Sequence, residues 1–277
     1  MDSARDISRH YTRGDLLARL NGALADDGID PRQPSIESLA PYDQFHGRGL
    51  EATTDIADLL DIRADDHVLD IGSGIGGPAR YFASRFGCRV TGIDLTAEFC
   101  RVGQHLTCLL GMQTRVQLVL GNALAMPFAN SSFEGAYSMN VSMNIADKGA
   151  FYGQIHRVLK PGAWLALSEI AKGPGEDPEY PTPWASTAQD SFLSTPEQTR
   201  SGLLRAGIEI IHFQSVRERA LDFGARSRAM VDRGEKPPHR AVTLIHGEMA
   251  ARAIANTARA LSESRIVPIE VIGRRRP

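Results

Sequence analysis

"VLDIGSGIGGPARYFASRFGCRVTGIDLT", residues 68–96, decides how the rest of the chain is read. An apolar run ends at Gly72, a glycine-rich turn follows, and a helical pattern stops at Gly87 before a second apolar run ends at Asp94. Strand, glycine turn, helix and strand in that order form a βαβ unit, whose backbone N–H groups converge on a ligand at the helix N-terminus. The glycines fit two fingerprints. Gly72, Gly74 and Gly77 satisfy G-x-G-x-x-G, and Gly72, Gly74 and Gly76 satisfy G-x-G-x-G.

Outward from this unit the alternation continues. "HVLDIG" (67–72) and "CRVTGID" (88–94) are the first two strands, and Thr96 is the expected N-cap of a helix running to Gly111. Strands are predicted at 115–123, 133–140 and 164–171, with a helix over Asp147–Leu159 that "KPGA" ends. "KGPGEDPEYPTPWASTAQD" breaks the rhythm with four prolines and two glycines and reads as a loop. A helix near Thr195–Ala206 and strands at 208–216 and 265–273 close the pattern, Pro268 arguing for an edge strand or a bulge. Such alternation implies a mostly parallel sheet covered on both faces, an α/β Rossmann-like doubly wound sheet.

The division that follows is a helical N-terminal cap over residues 1–64, a ligand-binding core over 65–219 and 263–277, and a helical lid insertion over 220–262. The insertion carries the amphipathic "HGEMAARAIANTARAL", which would roof a site or form a homodimer contact.

Composition narrows the class. The chain has 277 residues, 42% apolar, and a formal net charge of −2, so no global field points to nucleic acid or to an anionic membrane. Three cysteines without C-x-x-C or histidine pairing give no expectation of a metal site and fit a reduced compartment. The N-terminal "MDSARDISRHYTRGDLL" lacks the apolar stretch of a secretory signal, and no run approaches the roughly 20 residues that span a bilayer. The expectation is a cytoplasmic protein with a small-molecule partner.

Two acids sharpen the glycine turn. Asp94, at the end of the second strand, is placed to accept hydrogen bonds from both hydroxyls of a ribose, which suits either NAD or S-adenosylmethionine. Asp70, two residues before Gly72, would repel a pyrophosphate and attract an amine or a sulfonium, which favours the second ligand. In "GNALAMPF" (121–128), Asn122 could accept from an adenine amino group and the Ala123 N–H could donate to the ring.

Over residues 65–172 the ordered set D-x-G-x-G-x-G, G-x-D, G-x-A-x-x-x-P-F, S-F-E-x-A and R-V-L-K-P-G resembles the class I S-adenosylmethionine-dependent methyltransferases. The resemblance implies seven strands with the last antiparallel, a cofactor converted to S-adenosylhomocysteine, and ligand contacts from Ser73 and Leu95 beside Gly72, Gly74, Gly76, Asp70 and Asp94. Two positions depart from the usual pattern: Asn122 stands where an acid is common, and Glu134 replaces the commoner Asp and reads as structural.

Acceptor chemistry is expected from two segments. In "LAPYDQFHGRGLEAT" (39–53), Gln44 would reach the methionine end of the cofactor and Tyr42 or His46 would act at the methyl group, with Glu169 as a further candidate base. In "MNVSMNIADK" (139–148), Asn140 would touch the cofactor and Asn144 the substrate. No Asn-Pro-Pro-Tyr-like motif of amino-methylating nucleic-acid enzymes is present. The "YDQFH" and "YPTPWA" segments resemble sarcosine/dimethylglycine N-methyltransferases and related small-molecule enzymes. Trp184 with Tyr180, Glu176, Asp177 and Glu179 would either box a cationic amine or leave the acids in solvent with Trp184 packing the lid. Together these point to methylation of an amine nitrogen, as in glycine-betaine synthesis. An O- or C-methylating natural-product enzyme, an NAD-dependent oxidoreductase and a non-catalytic binder of S-adenosyl ligands are the alternatives.

Overall fold

The structure is a computed structural model, described here for residues 10, 11 and 14–277. Most of the N-terminal stretch read for a secretory signal therefore lies outside the described residues. Three short helices, α1 (Leu16–Asp26), α2 (Ile36–Asp43) and α3 (Leu50–Asp58), precede the core. The core runs β1 (His67–Ile71), α4 (Gly77–Phe86), β2 (Arg89–Asp94), α5 (Ala97–Leu109), β3 (Val116–Leu120), β4 (Phe133–Met139), α6 (Lys148–Val158) and β5 (Leu159–Lys172). It continues with α7 (Pro196–Arg205), β6 (Ile208–Ser215), α8 (Arg217–Asp232), α9 (Ala241–His246), α10 (Ala250–Ser262) and β7 (Ile266–Arg275).

The seven strands form one sheet in the order β3-β2-β1-β4-β5-β7-β6. The first five pair in parallel, and β7 runs antiparallel between β5 and β6. Alternating residues face opposite layers: Leu69 and Ile71 pack with α6 and α7, while Val68 packs with α3 and α4. The strand order reverses between β1 and β4, which opens a crevice at their carboxyl ends, where doubly wound sheets bind ligands.

Three local expectations change. Pro268 is on an inner strand, not an edge. Its carbonyl accepts from Val216 N (2.9 Å) just past the end of the β6 ladder, so the missing N–H forfeits only the terminal bond of that pairing. Thr96 makes no side-chain cap on α5; Asp94 Oδ1 accepts from Thr96 N at 2.8 Å instead. "KPGA" does end α6, but it loops out inside β5: Leu159 pairs with Phe133 and Trp164 with Gly135, with Gly162 in the left-handed region at φ 77°.

The N-terminal helices and α9 share one apolar cluster with the core. Leu16, Leu20 and Leu24 of α1 meet Phe99, Val102 and Leu106 of α5, with Leu244 and Ile245 beside them. The apolar stripe of α10 also turns inward, where Ala260 and Leu261 pack with Trp184 and Ile266. Helix α8 buries no residue at all.

Candidate active site

One cavity of about 1160 Å³ occupies the crevice and extends beneath α8–α10. At its inner end the glycine turn is built for close approach. Gly72, Gly74 and Gly76 have φ of 74°, 54° and 79°, a region that side chains strain to adopt. A Cβ on Gly74 would lie 2.8 Å from the Phe45 ring, which closes this end of the cavity. Asp94 Oδ2 accepts from Gly74 N and Oδ1 from Thr96 N, both at 2.8 Å. Each carboxylate oxygen retains a lone pair, so two further donors fit. Burial pushes this carboxyl up to about 6 against the pull of those backbone donors.

Of the sequence-derived ligand set, Gly72, Gly74, Asp94, Leu95, Asn122, Ala123 and Asn140 line the cavity together. Asn122 Oδ1 already accepts from Leu124 N (2.8 Å), so this residue also shapes its turn. Asn140 is in the left-handed region at φ 57°. The amide orientation its neighbours require donates to Ser168 O and accepts from Gly47 N, each at 3.1 Å. Asp70, Ser73 and Gly76 are not on the wall. The Asp70 carboxyl is buried near Tyr137 and is pushed up to about 8 by that burial, so it brings no exposed negative charge to a sulfonium.

The "YDQFH" segment folds differently from the expectation. Tyr42, His46 and Gln44 are buried and do not line the cavity. The Tyr42 hydroxyl donates to Asp27 Oδ2 (2.8 Å) and Ala23 O (3.2 Å), with the Arg240 guanidinium 4.5 Å above its ring. Burial beside Asp27 pushes the phenol up to about 12. Gln44 accepts from Thr53 Oγ1 (2.7 Å) and donates to Asp43 Oδ1 (3.2 Å). His46 Nε2 meets Gly49 O (2.9 Å) and Thr53 Oγ1 (3.0 Å), and burial pushes the ring down to about 3. These side chains hold the segment in place rather than face a reacting atom. His46→Ala is therefore expected to cost about 1–3 kcal/mol of stability in chemical denaturation, with turnover per folded molecule unchanged. A selective loss of kcat would restore His46 to the chemistry.

The wall also holds three residues that the sequence did not single out. Tyr11, Phe99 and His239 line the cavity, with Asn144 Nδ2 donating to the Tyr11 hydroxyl at 3.2 Å. His239 Nε2 donates to Gln44 O at 2.8 Å, which leaves Nδ1 as the acceptor. Glu169, at the end of β5, is 3% exposed and lines the same space. It accepts from Val141 N (3.1 Å), Ser142 N (3.0 Å) and Ser138 Oγ (3.3 Å), and burial pushes it up to about 7. Trp184 lines the cavity while its Nε1 donates to Ser191 Oγ at 2.9 Å. Its acidic neighbours do not join it. Glu176, Asp177 and Glu179 are exposed and pair with Arg265, Lys172 and Arg259. Glu134, read as structural, accepts from His67 N (2.8 Å) and pairs with Lys160.

Comparison with known proteins bears on this arrangement. Residues 69–167 match the family model of the methyltransferase domain. Residues 69–167 are thus similar to a methyltransferase domain. A 24-methylenesterol C-methyltransferase from Oryza sativa subsp. japonica is 37% identical over 107 residues, 39% of this chain and 30% of the relative. A phosphoethanolamine N-methyltransferase from Triticum aestivum is 29% identical over 157 residues, 54% of this chain and 31% of the relative. The chain thus spans about a third of the length of either relative. Among solved structures, a geranyl diphosphate methyltransferase in complex with GPP and sinefungin superposes with a TM-score of 0.74 at 16% identity, over 99% of this chain and 100% of that one. That likeness extends the methyltransferase fold across the cap and the helices beneath which the cavity runs.

Proposed function

We propose that this chain is an S-adenosylmethionine-dependent methyltransferase acting on a small-molecule acceptor. The observation that carries the reading is one continuous cavity with a ribose-suited Asp94 over a glycine turn at one end and Glu169 beside Asn144 in the same space. The turn fits the cofactor because the positive φ of its glycines lays Gly72 and Gly74 along the cavity wall, and because Asp94 keeps acceptor capacity for two hydroxyls. When bound, the cofactor supplies an electrophilic methyl on a sulfonium, whose sulfur keeps the electron pair of the broken bond. The protein aligns the acceptor and excludes water, and such positioning contributes about 7–11 kcal/mol in well-oriented reactions. For an N–H or O–H acceptor, Glu169 is the group placed to take the proton, since a carboxyl near 7 matches the working pH.

The acceptor atom is the finer question. An amine nitrogen is the sequence-derived expectation, but the acids that would attract a cation are paired outside the cavity. Apolar side chains of Leu221, Phe223, Val231, Ile254 and Leu261 line its outer part, which suits an O- or C-methylated apolar metabolite better. The inward-facing stripe of α10 supports a roof over this space in preference to a dimer contact. Among the described residues no helix is long and apolar enough to cross a membrane.

Isothermal titration with S-adenosylhomocysteine, with NADH alongside, tests the cofactor. Binding of the first alone is expected, and binding of NADH alone would overturn the reading. Asp94→Ala should weaken S-adenosylhomocysteine binding by about 1.5–3 kcal/mol. In the parent chain, affinity should fall as pH drops below about 6, because protonation removes the acceptor. The variant should show no such fall; equal pH curves would place the ribose elsewhere.

A further inference from the structure

The cavity is larger than one ligand needs. Single-ligand pockets run to about 300–1,000 Å³, and this one is about 1160 Å³, with α8 and α10 among the elements that line it. Helix α8 presents Ala220, Leu221, Gly224, Ser227, Arg228 and Val231 to it, a spacing that keeps to one helical face. Ala220 and Leu221 at its start pack on the Trp184 and Leu261 cluster, while no residue of α8 is fully buried and Gly224, Arg228 and Val231 further along it are exposed. Val231 on α8 and Ile254 on α10 stay 55% and 46% exposed at the rim.

Gly224 is the informative residue. Glycine in a helix interior costs about 1 kcal/mol against alanine, yet it stands near the middle of this helix of 16 residues. A Cβ there would meet no atom within 4 Å, so no protein neighbour requires its absence. The open space over Gly224 leaves room for a ligand close to the helix backbone.

Charge is placed with equal economy. Of the arginines on the wall, Arg48 pairs with Asp55 and Glu270, and Arg259 pairs with Glu179. Arg228 has no ion-pair or hydrogen-bond partner among the described residues.

We infer that the space between α8 and α10 is the acceptor site, and that it takes an elongated, mainly apolar molecule bearing an anionic group, its chain against Gly224 and its anion at Arg228. The inference rests on the proposed use of the inner end for the cofactor. It separates this chain from enzymes for small, cationic amines.

The test is titration of the full chain, saturated with S-adenosylhomocysteine, with decanoate, decanol, decyltrimethylammonium and sarcosine. Decanoate should bind most tightly, decanol several-fold more weakly, decyltrimethylammonium more weakly again, and sarcosine not at all. Arg228→Gln should bring decanoate to the level of decanol. Gly224→Leu should weaken both by tenfold or more, with S-adenosylhomocysteine affinity retained, while Gly224→Ala should raise the melting temperature and shows that the position tolerates a side chain. Tighter binding of sarcosine than of decanoate, no binding of decanoate and decanol, or unchanged decanoate affinity in folded Gly224→Leu overturns the proposal. Failure to saturate with S-adenosylhomocysteine at the outset is a different result, since it overturns the cofactor reading itself.

Discussion

Arg80→Met is expected to lower the free energy of unfolding by about 3–5 kcal/mol, read as a shifted midpoint in urea. Arg80 is fully buried and its Nη2 donates to Asp43 Oδ2 at 2.9 Å, with Asp43 only 2% exposed. Its Nη1 donates to Ile75 O at 2.8 Å within the glycine turn. Removing the guanidinium strands a carboxylate in a place that water does not reach, and that uncompensated charge dominates the loss. The double variant Arg80→Met with Asp43→Leu should recover much of the stability, since an apolar pair removes the charge along with its partner. A single variant within 1 kcal/mol of the parent would show that the ion pair does not hold α2 against α4. The consequence reaches the site. A Cβ on Gly77 would collide with the Asp43 backbone, so the ion pair and this contact together seat the residues that carry Phe45 over Gly74.

Glu169→Gln is expected to lower kcat by about 10²-fold on an N–H or O–H acceptor, with S-adenosylhomocysteine affinity within threefold of the parent. The direction of the pH dependence follows from its raised carboxyl. Below about 7 the acid form predominates and cannot accept a proton; as pH rises through that value the base form grows, so the rate rises and then levels. In Glu169→Gln the profile should be flat. The carboxylate also gathers the N–H groups of Val141 and Ser142, and a purely structural role has its own signature. It would show as a lowered melting temperature with an unchanged pH profile, and that result removes Glu169 from the chemistry.

The strand–turn–helix at residues 68–96 was legible because its signals are local. Gly72, Gly74 and Gly76 supply positive φ, and Asp94 ends a strand where the backbone itself aims the carboxylate at the turn. The alternation of apolar runs likewise yields the sheet, since parallel strands buried on both faces must be apolar throughout. Tyr42 and His46 show where local reading ends. Their residue types suit catalysis, but whether a side chain faces a cavity depends on what packs behind it, and here Asp27, Arg240, Gly49 and Thr53 supply the partners. Helix α2 is a related case, since Pro41 within it argues locally against a helix that its packing nevertheless holds.

What the sequence determined by itself is the α/β core, the order of its elements and the residues that surround the glycine turn, all set by periodicity and backbone conformation over a few residues. What only the tertiary structure decided is the acceptor end. Glu169, His239, Gly224 and Arg228 are scattered over about 70 positions and meet one space solely because α8 to α10 fold back over the crevice, a juxtaposition that depends on long-range burial and leaves no periodic mark in the chain.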